Sequence, residues 1–315
     1  MGGLVARRVG IAVVLLWIVS LLVFAATQVL PGDTASAILG KTATPDSLAQ
    51  LRAQLGLDRP LLQQYTDWLG GLLHGDLGRS LAAGLPVGDL IGDRVGATLT
   101  LAAVTLVLLV PLALLLGVLT GTRRDGKLDQ VVSWITLAGV AVPEFVTGTL
   151  LALLLATWLG WLPAVSLIPP GESPLAHPQY MVLPVLTLLV AGLASTVRLV
   201  RVGVAQAAAA DYTEMARLSG IPERRVVRRW VLPNALAAGV QVIALTAQWL
   251  VGGIVIVETV FQYPGIGQTL VQSVQSQDIP VVQAVALLIA AIYVLLNLLA
   301  DIALVLLVPR LRSAR

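Results

Sequence analysis

Six long stretches of this chain carry almost no ionisable residues, and they limit its possible folds more than any other feature. They run between Arg8 and Asp33, Arg94 and Arg123, Asp129 and Glu172, Glu172 and Arg198, Arg229 and Glu258, and Asp278 and Asp301, the last continuing to Val308. Only the third is interrupted by a charge, at Glu144. A helix needs about 20 largely apolar residues to cross a hydrocarbon layer ~30 Å thick, and each run is long enough. The predicted fold is an all-α membrane protein with six transmembrane helices. Of the 315 residues 57% are hydrophobic and 12% charged, whereas a soluble domain carries roughly a quarter charged residues. So few charges cannot cover a soluble protein of this size. Arg7 and Arg8 before the first run suit a secretory signal, but the apolar core is too long and no small-residue cleavage site follows. The run reads as a retained span.

Lys and Arg in short loops mark the cytoplasmic side. Arg123, Arg124 and Lys127 join the second and third runs. Arg217, Arg224, Arg225, Arg228 and Arg229 join the fourth and fifth, with Arg198 and Arg201 just before them, and the tail holds Arg310, Arg312 and Arg315. The loops near 160–180 and 262–280 contain neither residue type. Both termini are therefore predicted to be cytoplasmic. These basic residues flank apolar spans and form no surface with interleaved aromatics, which argues against nucleic-acid binding. There is no cysteine and there are two histidines, His74 and His177, so thiol chemistry and a dedicated metal site have no support. No phosphate-binding Gly-rich loop, nucleophile elbow or zincin helix is present either.

The one sizeable polar segment on the outer side spans 33–94. Thr44 and Pro45 read as N-cap and first helical residue, with Leu48, Leu51 and Leu55 on one face and Gly56 as the stop. Pro60 opens a second helix whose apolar face holds Leu61, Leu62, Tyr65, Trp68, Leu69 and Leu72, closed by Gly75. Two short amphipathic helices on the outer mouth of the bundle suit a membrane-surface cap, a docking platform, or both.

The stretch from Asp211 to Pro233 is the most informative. Asp211 is placed to cap a helix, and Glu214 three residues later suits the reciprocal position. Tyr212, Met215 and Ala216 share a face. Gly220 supplies a left-handed turn, Pro222 the first position of a second helix, and Glu223 a favourable charge in its first turn. Val226, Val227, Trp230 and Val231 line one side of that helix and Arg224, Arg225, Arg228 and Arg229 the other. Such a segment suits an interfacial helix among anionic headgroups or a protrusion into a groove on a soluble partner, and pattern alone leaves both open.

Glu214-Met215-Ala216, then Gly220, then Leu232-Pro233 resembles the EAA signature of ABC importer permeases, with Met215 in place of the middle Ala and Trp230 where Ile is common. Further stretches are similar to the dipeptide/oligopeptide/nickel branch of that family: Pro31-Gly32-Asp33; Gly56-Leu57-Asp58-Arg59-Pro60; Gly70-Gly71-Leu72-Leu73; Gly75-Asp76-Leu77-Gly78-Arg79-Ser80; and Glu258-Thr259-Val260-Phe261-Gln262-Tyr263-Pro264-Gly265-Ile266-Gly267. They cover nearly the whole chain in the family's order, and the large segment after the first span fits the first of the branch's two permease types. The resemblance implies a type I ABC importer fold. A first helix and extracytoplasmic segment would occupy 1–94, a five-helix permease domain 95–309 with its coupling loop at 204–235, and a cytoplasmic tail 310–315. It also implies a cell-membrane subunit that is no enzyme and holds no cofactor. ATP and Mg would sit on two partner ATPase subunits, beside a second permease and an extracytoplasmic substrate-binding protein. Asp211, Tyr212, Glu214, Met215, Ala216, Gly220 and Pro222 would seat the loop in the ATPase. Di- or oligopeptides are the expected cargo, with nickel, haem or another small solute as alternatives, and an ATP-independent transporter or channel, or a membrane enzyme, as the readings from other classes.

Inside the membrane, Glu144 follows Pro143. A carboxylate facing lipid there costs on the order of 2.5–3.5 kcal/mol, so it should face the bundle interior as a satisfied carboxyl at a kink or as part of a pathway. The resemblance implies that Glu258 and the turn Tyr263-Pro264-Gly265 lie near an outer gate, with Glu258 equally well an interfacial anchor. Asp301 reads as structural, toward the cytoplasmic end of the last helix.

Overall fold

The computed structural model describes residues 2–29, 36, 39, 44–54, 58–124 and 126–307. Pro31, Gly32, Asp33, Leu55, Gly56, Leu57 and the tail from 308 lie outside the described residues, as do the side chains of Leu51 and Asp301. All regular structure among the described residues is helical, apart from one isolated bridge between Arg79 and Pro86. Five helices are long and apolar enough to cross a membrane, and a sixth span exists if the two halves of the third run count as one. The chain forms two compact units, one of residues 6–98 and 264–295 and one of 99–263 together with both ends.

In the first of these units, α1 (Gly2–Val29) carries Phe24 against Tyr65 and Trp68 of α3 (Leu61–Leu73), with ring centroids 5.4 and 6.0 Å apart. The Tyr65 hydroxyl meets Ser20 Oγ at 2.9 Å. The second amphipathic helix therefore packs along the first span. Its buried face is narrower than its sequence pattern, because Leu61 and Leu62 are exposed. Before it, α2 (Pro45–Gln54) is capped as expected: Ser47 N–H donates to Thr44 Oγ1 at 3.3 Å and Thr44 N–H to Ser47 Oγ at 2.9 Å. Gly75 ends α3 at φ +82°, the left-handed region that favours glycine. Val87 and Ile91, from the start of α4 (Val87–Thr122), form a core with Ile266, Val281, Ala284 and Val285. Asp278 is buried and accepts hydrogen bonds from Ser80 Oγ and from Leu81 N–H at 3.0 Å.

The second unit is organised on α7 (Pro178–Ala208), with α5 (Lys127–Ala141), α6 (Glu144–Leu151) and α10 (Leu232–Phe261) against it. In lipid, helices associate by close packing and not by the hydrophobic effect, so small residues mark the contacts. Gly117 and Gly121 of α4 show this directly. A Cβ at Gly117 would lie 2.5 Å from Val200 Cγ1, and one at Gly121 would lie 2.7 Å from Val204 Cβ and 2.9 Å from the Arg201 carbonyl oxygen. Gly139 sits as tightly on Ala194, at 2.9 Å.

Two helices differ from the charge-bounded runs. The third run is broken rather than kinked: α5 and the stretch Glu144–Trp158 meet at 105°. Pro143 has no N–H to donate and forces the residue before it out of helical geometry, and Val142 is extended at φ −97°, ψ 121°. The fourth run does not end at Arg198. Helix α7 carries Arg198 and Arg201 and continues to Ala208. Arg201 Nη2 donates to Asp129 Oδ2 at 2.7 Å, and Asp129 is 2% exposed. A charge with a buried partner does not have to end a span.

Candidate functional site

The segment 211–231 folds as two short helices hung on the end of α7. Helix α8 spans Asp211–Leu218, and α9 spans Glu223–Val226 and widens into a π turn at Val227–Val231 before α10. Ala216, Val226 and Val231 bury themselves with Val200, Val204 and Ala207 of α7, and Leu114, Val118, Ile221 and Trp230 close around them. The valine face predicted for the second helix is therefore inside, and the four arginines opposite it are exposed.

The cap of α8 differs from the expected one. Asp211 is its first helical residue, and the cap is Ala210, extended at φ −74°, ψ 146°, with no side-chain bond. The cause is α7, which runs to Ala208 and leaves only Ala209 and Ala210 for the turn. Glu214 consequently has no capping role, although both acids still sit in the first turn, where the helix dipole favours them. Thr213 takes over the anchoring: its Oγ1, fully buried, donates to the Ala207 carbonyl at 2.8 Å. Gly220 adopts φ +76°, as its turn requires. Pro222 is the cap of α9 and not its first residue, so the helix starts one residue later than expected, at Glu223.

Arg217 locks the turn. Its guanidinium donates from Nε and Nη2 to both carboxylate oxygens of Glu223, each at 2.9 Å, and from Nη1 to the Ala208 carbonyl at 2.8 Å. These bonds hold the Glu223 carboxyl below its ordinary value and Arg217 above its own, with burial opposing both shifts. One side chain thus ties α7, α8 and α9 together. The predicted shared face of Tyr212, Met215 and Ala216 divides as a result. Ala216 points inward, while Tyr212 and Met215 are exposed together with Leu218. Three large apolar side chains on one eight-residue helix face outward from a rigid support.

The remaining candidates lie elsewhere. Glu144 opens α6, half-buried, and accepts a hydrogen bond from Trp249 Nε1 at 3.1 Å. One oxygen of its carboxyl takes a neutral donor, beside Pro143 at the break. Glu258 is fully buried, which overturns its reading as an interfacial anchor. Tyr263 is also fully buried, and its N–H donates to the Glu258 carbonyl at 2.9 Å. Gly265 is buried too and Pro264 partly so. Among the described residues no group of three or more His, Cys, Asp or Glu could hold a metal ion. Sequence reading missed Thr213, Arg217, Trp249, and the Asp129–Arg201 pair. Arg217 and Glu223 are six apart across a Gly-Pro turn, outside helical spacing, and Asp129 and Arg201 are 72 apart. The one available signal was Gln248-Trp249, a polar pair inside an apolar run.

Long apolar helices, with a helix–turn–helix held on the end of one of them and turning apolar side chains outward, have the form of a membrane subunit that engages a partner. The comparisons agree. Residues 113–313 match the family described as "Binding-protein-dependent transport system inner membrane component", and residues 1–102 match its N-terminal partner family. The chain is 34% identical over 312 residues to a putative peptide transport system permease protein of Brucella abortus (strain 2308), covering 99% of each. It is 33% identical to a probable peptide ABC transporter permease protein of Sinorhizobium fredii, covering 99% of this chain and 100% of that one. It is 35% identical over 287 residues to a glutathione transport system permease protein of Escherichia coli (strain K12), covering 91% of each. The chain belongs to the family of binding-protein-dependent inner membrane permeases. It is a multi-pass component of an ABC transporter and not a catalytic subunit, and it works in a complex with an ATPase and a binding protein.

Proposed function

We propose that this chain forms half of the translocation pathway of an ATP-driven importer for di- or oligopeptides. One of two ATPase subunits would bind at 211–233, a second permease would complete the pathway, and an extracytoplasmic binding protein would deliver the cargo. Both termini lie in the cytoplasm in this reading, from the Lys and Arg distribution. The observation that carries it is the exposed face of Tyr212, Met215 and Leu218 on a helix held by Thr213 and Arg217. An amphipathic helix with its apolar residues outward fits a hydrophobic groove on a soluble partner. The peptide and glutathione transport of the named relatives supports the cargo class.

Closure of the ATPase pair around ATP would move α8 as a rigid body. Through Arg217 and the valine core, that movement reaches α7 and α10. The driving force is the difference in ATP affinity between open and closed ATPase pairs. Glu214 and Gly220 then act through geometry, not chemistry. Co-purification with the ATPase, second permease and binding protein, followed by ATPase assays with and without binding protein and peptide, tests the reading. Stimulation by both is expected; no stimulation by any candidate peptide overturns the cargo class, and no co-purification overturns the docking surface.

A further inference from the structure

Within the second unit, several polar groups on the spans are matched across helices. Gln248 Nε2 donates to Asn297 Oδ1 at 2.7 Å, the Thr196 and Thr246 hydroxyls meet at 3.0 Å, and Asp129 holds Arg201. Glu144 differs. It is half-buried, its hydrogen bond comes from a neutral indole to Oε1, and no cation among the described residues is paired with it. It also stands in the first turn of α6, where the helix dipole favours a negative charge. A carboxylate left against acyl chains is unfavourable, so a charge kept at this point needs water or a cation beside it.

Its support is built rather than incidental. The Trp249 ring that holds Glu144 lies between two glycines: a Cβ at Gly192 would come within 3.0 Å of Trp249 Cζ3, and one at Gly253 within 3.6 Å of Cζ2. The Val142–Pro143 break leaves Glu144 at the end of a helix instead of inside one. A side chain oriented by a packed second residue, with one oxygen free of protein hydrogen bonds among the described residues, is preorganised to receive a donor.

We infer that Glu144, positioned by Trp249, is a pathway site for ammonium groups, one that favours passage of substrates with a free amino terminus or a lysine-like side chain. The inference rests on the proposed peptide import. Its test uses the complete importer with its binding protein in proteoliposomes, comparing ATP-driven uptake of trialanine and N-acetyl-trialanine in wild type and Glu144→Gln. Selection by the binding protein cancels in the ratio of wild type to variant. A charge-assisted hydrogen bond predicts a fall of roughly tenfold for trialanine, and less than about twofold for the acetylated peptide, with Glu144→Asp retaining the contrast. Equal ratios for the two peptides overturn the inference.

A second measurement is independent of peptide transport. Carbodiimide modification of Glu144, read by mass spectrometry as loss of the free carboxyl with N-acylurea and butylamide products counted together, should be slowed by butylammonium and not by N-butylacetamide. Equal protection, or none, overturns the inference. If neither peptide is imported while butylammonium still protects, the peptide reading fails and the ammonium site stands.

Discussion

Asp129 and Glu144 are the same chemical group at the same place in two helices. Each is an acid in the first turn of one half of the broken third span. Asp129 is 2% exposed and takes two bonds from the Arg201 guanidinium, with Ser133 Oγ nearby at 3.4 Å. Glu144 is half-buried and takes one from an indole. The helix dipole treats them alike, so the difference lies in the partner. A charged partner makes Asp129 part of the scaffold. A neutral one, bonded to Oε1 alone, leaves the other Glu144 oxygen open to a further donor.

Removing the Asp129 carboxylate should therefore have the largest effect on stability. Asp129→Leu removes the buried partner of a guanidinium whose side chain is 27% exposed, and breaking such a pair costs about 3 kcal/mol, the low end for buried pairs. A marked drop in thermal midpoint in detergent is expected. The double variant Asp129→Leu/Arg201→Met should recover most of it, because a hydrophobic pair of similar volume replaces the ions. A double variant as unstable as the single one would show that the pair is not the scaffold element described here.

The next effect is steric, on the same helix pair. Gly121→Val places a methyl branch against Val204 and against the carbonyl of Arg201, which is backbone and cannot turn aside. Overpacking of about 1–3 kcal/mol follows, read in the same thermal assay. Glu144→Gln should cost less than about 1 kcal/mol, because Trp249 still finds an amide oxygen to bond, yet transport should fall. A large stability loss would make Glu144 a second Asp129 and erase the contrast. Gly220→Val is expected to leave the spans intact and uncouple ATP hydrolysis from transport, because a β-branched residue resists φ +76°. Normal transport would mean that this turn does not transmit.

The smallest effect is that of the exposed Arg217–Glu223 pair. Glu223 titrates below its ordinary value of 4.5 because Arg217 donates to it. The pair's contribution is present above that ordinary value and is lost as pH falls through the lowered folded one. With both side chains substantially exposed, solvent screening limits it to about 0.5 kcal/mol. Comparing wild type and Glu223→Gln from pH 6 to pH 3 should show the two curves converging at low pH.

The spans were legible because lipid demands long charge-free runs, and the Gly220 turn because a positive φ selects glycine. The Thr44 cap was legible for the same local reason. Asp211 misled because its capping role depended on where α7 stops, and that is set by Val200, Val204 and Ala207 packing beneath α8. Arg198 closes the fourth charge-free run but not its helix, which continues to Ala208, and Arg201, one turn on, finds its partner 72 residues away.

Sequence alone determined the helical membrane class, the basic loops and the helix–turn–helix that the family resemblance singled out. These follow from hydrophobic length, charge placement and local backbone preference, all properties of neighbours along the chain. The tertiary structure decided which acid is paired and which remains open, that the third run is broken by 105°, and that Arg217 joins three helices. Each of these depends on which residues meet across the bundle, and partners distant in sequence leave no periodic trace in it.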